Sequence, residues 1–172
     1  EGNGENDFMD GSGLERMILA TNPLLEALGN AKTTRNNNSS RFGRWIEIAF
    51  RDRSAVVGCC CTAYMLEKSR VSHQPTGDRN FHIFYMLLAG ATKAQRRELS
   101  LLSADAFNYL HMDDGDSSGD AAADNDRFRE FVEAARDVGL ASSELDDVLR
   151  CVAACLHLGN VSFDVIDRSS CT

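Results

Sequence analysis

The stretch Phe81 to Ala89 constrains this chain more than any other, because it leaves no face that suits water. Phe81, Phe84, Tyr85 and Leu88 share one helical face, and Ile83 and Leu87 make the rest apolar as well. A helix that is apolar all round is a buried one, and Gly90 is placed to end it. Other segments must wrap it. A chain of 172 residues with 43% apolar content has enough material for one domain with a core.

The wrapping layers can be read from periodicity. Leu14, Met17, Ile18, Thr21, Leu25 and Leu28 fall at helical spacing. Asn22-Pro23 interrupts them as an N-cap followed by a first-turn proline, which predicts two helices, the second running from Pro23 to Gly29. A short charged helix is expected over Ala94 to Leu101. Another is marked by Phe128, Phe131, Val132 and Ala135. A last helix carries Leu145, Val148, Leu149, Val152 and Leu156, capped by Ser142 or Ser143 and stopped by Gly159. Trp45 to Phe50 alternates, with Ile46, Ile48 and Phe50 on one face. It predicts a strand, a turn over Arg51 to Ser54, and a returning strand over Ala55 to Cys61. Val161 to Val165 alternates as a further short strand, and Tyr64 to Val71 stays open between strand and irregular structure. Glu1 to Gly13, Arg35 to Gly43 and Asp113 to Asp126 have loop composition, the last as an acidic, solvated insertion.

The net charge of −8 argues against a nucleic-acid surface, which needs clustered Lys and Arg. No apolar run approaches the ~20 residues of a membrane span. Glu1 to Asp10 lacks the basic start and apolar stretch of a secretory leader, and a start at Glu fits a processed or truncated product. Of the six cysteines, Cys59-Cys60-Cys61 are consecutive within an apolar run. Their side chains alternate across a strand and cannot converge on one metal ion, so buried, reduced thiols of a cytoplasmic protein are expected. His73, His82, His111 and His157 show no H-x-x-x-H pair, so they are not expected to hold a metal. Glu67, Lys68 and Arg70 read as structural ion pairs in preference to a catalytic cluster.

One polar segment has the composition of a reagent. Asn36-Asn37-Asn38-Ser39-Ser40-Arg41-Phe42-Gly43 sets amides, hydroxyls and one guanidinium in series. Phosphoryl transfer uses such groups: hydroxyl oxygen for a hard cation, amides for phosphate oxygens, a guanidinium for a carboxylate. The same letters are also ordinary loop composition, and chemistry alone leaves both readings open.

Longer blocks weigh in. Asn22-Pro23-Leu24-Leu25-Glu26-Ala27-Leu28-Gly29-Asn30-Ala31-Lys32-Thr33 resembles the helix leading into switch I, the phosphate-sensing loop of myosin motor heads. Asn36 to Gly43 resembles switch I itself, and Arg44 to Phe50 the strand that follows it in the transducer sheet. Leu66-Glu67-Lys68-Ser69-Arg70-Val71, Arg79 to Tyr85, Leu87 to Ala91 and Leu156-His157-Leu158-Gly159-Asn160-Val161 resemble later blocks of the same family, in family order.

The resemblance implies an α/β fold of the P-loop NTPase type, an incomplete motor core. It would consist mostly of the helical upper 50-kilodalton subdomain with a transducer β-hairpin. In this partition residues 1–13 are a flexible loop, 14–43 lead into switch I, 44–61 form the transducer hairpin and 62–172 the upper subdomain. The implied ligands are ATP and Mg²⁺. Asn36 and Ser39 would contact phosphate oxygens, Ser40 would ligate Mg²⁺, and Arg41 would pair with a switch II glutamate to close the site, with Ser39 and Arg41 the residues of the hydrolysis step. The implied partners are actin filaments, and light chains or cargo through regions absent here. The implied setting is the cytoplasm and cytoskeleton, within a myosin complex.

Departures from the family pattern limit what the chain holds. It has no Gly-Lys dipeptide and so no Walker phosphate loop. Gly29-Asn30-Ala31-Lys32-Thr33 lacks the adjacent glycine, and Asp116-Ser117-Ser118-Gly119 copies switch II in letters only, with no hydrophobic strand before it. In the family the phosphate loop lies upstream and switch II downstream of these residues. The isolated chain is therefore expected neither to bind ATP tightly nor to hydrolyse it. The competing reading is a non-catalytic, myosin-like pseudo-motor or scaffold module.

Overall fold

The computed structural model describes residues 11–51, 55–110 and 119–164. The first helix, α1, is Gly11–Gly29 and runs unbroken through Pro23, in place of the two helices that Asn22-Pro23 predicts. A proline there removes the hydrogen bond to the Leu19 carbonyl. Leu19 is 66% exposed, so water can reach that carbonyl, and the Thr21 hydroxyl donates to the Ile18 carbonyl at 2.7 Å one position earlier. The helix also begins inside the glycine-rich stretch expected to be loop; residues 1–10 lie outside the described residues.

Two antiparallel hairpins follow. The first joins β1 (Asn30–Thr33) to β2 (Asn36–Ser40), with Asn30 opposite Ser40 and Ala31 opposite Ser39. The Asn/Ser run expected to be loop is therefore largely strand. The second joins β3 (Gly43–Arg51) to β4 (Ala55–Tyr64), from the pair Gly43/Tyr64 to the pair Arg51/Ala55, with an irregularity between Ala49 and Phe50. Both strands exceed their expected limits, and most of the expected turn, 52–54, lies outside the described residues. Lys68–Val71 forms a 3-10 turn.

The helices α2 (His82–Gly90), α3 (Lys93–Glu98), α4 (Gly119–Asp137) and α5 (Ser142–Gly159) complete the order. As its composition demands, α2 is buried from His82 to Leu88. It packs on α1, α4 and α5, and Leu87, Phe107, Phe131, Leu149 and Leu156 form the heart of the core. Gly90 is the last residue of α2, where any Cβ would run into the Phe128 ring of α4. Close packing requires glycine here.

Three further expectations are corrected. The acidic segment is not loop throughout: from Gly119 it is the first turns of α4, and Asp124 is buried because Arg79 neutralises it at 2.5 Å. Its earlier part, 111–118, lies outside the described residues. The N-cap of α5 is Ala141, whose N–H donates to the Glu144 carboxylate at 2.8 Å, so no serine caps the helix. Residues 161–164 form no strand. The cysteines also differ from expectation. Cys59, Cys60 and Cys61 are free thiols but exposed, because among the described residues only α1 packs on β4 and it leaves these thiols uncovered. Among the described residues no helix is long and apolar enough to cross a membrane.

Candidate functional site

The Asn/Ser strand has almost no apolar side chain to bury, so hydrogen bonds must order it. Asn38 is the anchor. Its Nδ2 donates to Glu26 Oε2 of α1 at 2.9 Å, and its Oδ1 accepts from Asn30 Nδ2 at 3.0 Å. His82 Nε2 at the start of α2 lies 3.1 Å from the same oxygen. Asn36 Oδ1 accepts the Asn38 N–H at 2.9 Å, and the Asn36 N–H donates to Thr33 Oγ1 at 3.1 Å, which closes the turn into β2. Backbone contacts fasten β1 from the other side: Arg79 N–H donates to the Lys32 carbonyl at 2.8 Å, and Ala31 bridges Phe81.

Beyond this anchor the reactive groups stand toward solvent. Ser40 is exposed, and its Oγ donates to the Phe42 carbonyl at 3.0 Å. Ser39 Oγ accepts from Arg41 Nη1 at 3.2 Å. Arg41 is held at both ends: its N–H donates to the Gly29 carbonyl at 2.9 Å, its carbonyl accepts the Glu67 N–H at 2.9 Å, and its Nε meets Glu67 Oε2 at 2.6 Å. That hydrogen bond raises the Arg41 pKa. It is also the main reason the Glu67 carboxyl lies below its ordinary value, against the opposing effect of burial, with Arg70 adding to the depression.

Glu67 is shared. Arg70, only 2% exposed, reaches the same Oε2 at 2.8 Å and Asp78 Oδ2 at 3.2 Å. It also donates to the Arg79 carbonyl at 3.1 Å. Asn80, fully buried, donates to the carbonyls of Val71 and Tyr109, both at 2.9 Å. A charge placed at Arg41 is thus connected through Glu67 and Arg70 to the segment that enters α2. The expected structural role of Glu67 and Arg70 matches this geometry, with Lys68 outside the network.

Asn36, Ser39 and Ser40 thus lie along β2 and Arg41 directly follows it, with Ser39 and Arg41 in contact at 3.2 Å. Four contributors were not foreseen: Glu26, Asn30 and His82, which anchor Asn38, and Glu67 as the carboxylate beside Arg41. Their partners lie 12, 8, 44 and 26 positions away, where local pattern carries no signal. The segment Gly29 to Thr33 ends a helix and enters a strand, the reverse of the order in a phosphate-cradling loop. Among the described residues no group of three or more His, Cys, Asp or Glu side chains could hold a metal ion. His157 is occupied structurally, with Nε2 at 2.9 Å from the Leu99 carbonyl and its ring edge-on to Phe107.

The donor set fits a nucleotide's phosphates with a hard cation. Ser40 brings a hydroxyl oxygen whose present acceptor is a carbonyl two residues away, an exchangeable contact. Asn36 is exposed and Ser39 half-buried, so their amide and hydroxyl can be reached.

Comparison with known proteins points the same way. The chain matches the model of the myosin head (motor domain) over residues 2–172. It is 49% identical over 154 residues to the myosin ID heavy chain of Dictyostelium discoideum, covering 90% of this chain and 14% of that protein. It is 46% identical over 160 residues to Myosin-3 of Arabidopsis thaliana, covering 93% of this chain and again 14% of the relative. The chain thus spans about one seventh of the length of each of these two relatives. Across nearly the whole of its own length, this chain belongs to the myosin head (motor domain) family.

Proposed function

We propose that this chain supplies switch I to an actin-based motor that converts Mg-ATP hydrolysis into movement in the cytoskeleton. The observation that carries the reading is that Asn36, Ser39 and Ser40 lie along β2, with Arg41 directly after it, on a strand that Asn38 ties to α1, β1 and α2. In this reading residues 14–43 lead into switch I, 44–61 are the transducer hairpin and 62–172 belong to the upper 50-kilodalton subdomain. Actin engages the full-length motor, and light chains or cargo engage it through segments outside this chain.

Asn36 and Ser39 bind phosphate oxygens and orient the terminal phosphate. Ser40 gives its hydroxyl oxygen to Mg²⁺, which when bound neutralises phosphate charge. Arg41 acts on closure. A guanidinium already held beside a carboxylate about one-third exposed can exchange or share it with a second carboxylate on switch II, since a surface pair of this kind contributes only ~1 kcal/mol. A contact made only in the closed state affects the chemical step more than ground-state binding.

The test is single-turnover hydrolysis by the motor that carries this chain, with ATP binding followed separately. Ser40→Ala should impair the nucleotide-bound state as a whole. Arg41→Ala should leave ATP binding nearly intact and slow hydrolysis about 100-fold or more. Arg41→Glu combined with Glu→Arg on switch II should recover part of the rate. Equal loss of binding and hydrolysis in Arg41→Ala, or no recovery by the exchanged pair, would contradict the closure role.

A further inference from the structure

Behind the polar strand lies a cavity of 110 Å³ that the proposed chemistry does not use. Glu26 of α1, Asn38 of β2, His82 and Met86 of α2, and Arg127 and Glu130 of α4 line it. Its two carboxylates, Glu26 and Glu130, are exposed and stand at its mouth. The Glu26 carboxylate accepts a neutral amide hydrogen bond from Asn38, and Glu130 has no ion-pair partner among the described residues. Arg127 is the one cation of the wall, and Asp124 shares its charge at 3.6 Å. His82 meets Asn38 through Nε2, and the buried Met86 supplies an apolar wall.

We infer that this cavity binds a small planar organic cation of the guanidinium or amidinium class and acts through Asn38 on the phosphate-sensing strand. Size sets the class: a cavity of ~150 Å³ holds benzene, so this one takes about four to six heavy atoms. Shape refines it, because a planar fork of N–H donors matches a carboxylate in two bonds and its flat face suits a thioether wall. A divalent metal fits less well, since no group of three or more metal-type ligands exists among the described residues.

The coupling follows from what the ligand would displace. A cation that takes Glu26 removes the acceptor of Asn38 Nδ2 at 2.9 Å and leaves that amide to reorient. Asn38 precedes Ser39 directly, and its N–H is the bond that holds Asn36. Cation and nucleotide should therefore weaken each other's binding by the same factor. This coupling, though not the cavity's own binding, rests on the function proposed above.

The probe is methylguanidinium chloride, added to the motor carrying this chain with methionine methyl groups isotopically labelled, against sodium chloride at equal ionic strength. The Met86 methyl resonance should shift and saturate in the millimolar range, and Glu130→Gln should weaken binding about fivefold. At saturation Mg-ATP affinity should fall about fivefold. A Met86 methyl that does not respond, or equal affinity in Glu130→Gln, overturns the site. A saturating Met86 response with unchanged Mg-ATP affinity overturns the coupling. A motor that binds methylguanidinium but no Mg-ATP sinks the proposed function and leaves the cavity assignment standing.

Discussion

The two hairpins of this chain are built on opposite plans. β1–β2 is short and polar, and yet it is bound into the core: Asn30 and Ala31 are buried, and Asn38 connects it to α1 and α2. β3–β4 is long and rich in apolar residues, and yet it is bare, with Trp45 61% and Phe50 56% exposed and three consecutive thiols at the surface. Hydrophobicity alone would rank them the other way. The difference shows that a polar strand can be positioned by a few specific bonds to a rigid core. A contiguous set of large exposed apolar side chains is instead the mark of an interaction surface.

Arg79→Met probes the core behind the wired hairpin, and it should have the largest effect. It removes the charge that neutralises buried Asp124 and the cation over the Tyr85 ring at 3.7 Å. Leaving that buried carboxylate with only Arg127, at 3.6 Å, costs up to ~3–5 kcal/mol, readable as a lower urea midpoint. A change under ~1 kcal/mol would mean that Asp124 finds water or another partner.

Asn38→Ala comes next. It strips Glu26, Asn30 and His82 of a shared partner, and a loss of ~1–3 kcal/mol is expected. Faster amide exchange should be confined to β1–β2. If exchange rose equally in β3–β4, the two hairpins would not be independent, and the comparison would break.

The charge that links Arg41 to the core gives a smaller, pH-dependent effect. Glu67 has a folded pKa below its ordinary value of 4.5, chiefly through its hydrogen bond to Arg41. Its contribution is therefore fully present above the ordinary value and is lost as pH falls through the depressed folded value. Glu67 is about one-third exposed, so solvent screening keeps the contribution below ~1 kcal/mol. Glu67→Gln should accordingly lower stability at neutral pH and converge with the unaltered chain once pH has fallen below the depressed folded value. Curves that stay parallel across that range would remove the pair from the account.

Smallest in stability is the bare hairpin. Trp45→Ser with Phe50→Ser should shift unfolding by no more than ~0.5 kcal/mol per site, while the chain's tendency to self-associate falls in sedimentation velocity. A loss as large as that of Asn38→Ala would show that the hairpin packs on this chain's own core.

These contrasts explain what could be read in advance. The burial of α2 was legible because a helix apolar all round has no alternative, and the α4 and α5 faces followed from the spacing of Phe128, Phe131, Leu149 and Leu156. Asn36 to Ser40 was not legible as strand, since its composition is that of a turn and the bonds that order it come from Glu26, Asn30 and His82. Asp124 was misplaced for the same reason: in an acidic run nothing local announces Arg79, 45 positions away. An apolar run is ordinarily buried, which misleads for Cys59 to Cys61, because nothing in the run itself signals that the hairpin stands exposed. For the site, the four residues Asn36, Ser39, Ser40 and Arg41 came from the match of whole blocks to a family. The Glu67 partner of Arg41 needed the fold.

The central claim is that the exposed groups on this polar edge serve a Mg-nucleotide while Asn38 holds the strand. It is tested most directly by a crystal structure of the motor carrying this chain with Mg²⁺ and a non-hydrolysable ATP analogue. The account predicts that Ser40 Oγ leaves the Phe42 carbonyl, now 3.0 Å away, and joins the metal at ~2.1 Å, with the bonds of Asn38 to Asn30 and His82 retained. A structure in which Mg²⁺ is held without Ser40, and the serine still donates to Phe42, would contradict it.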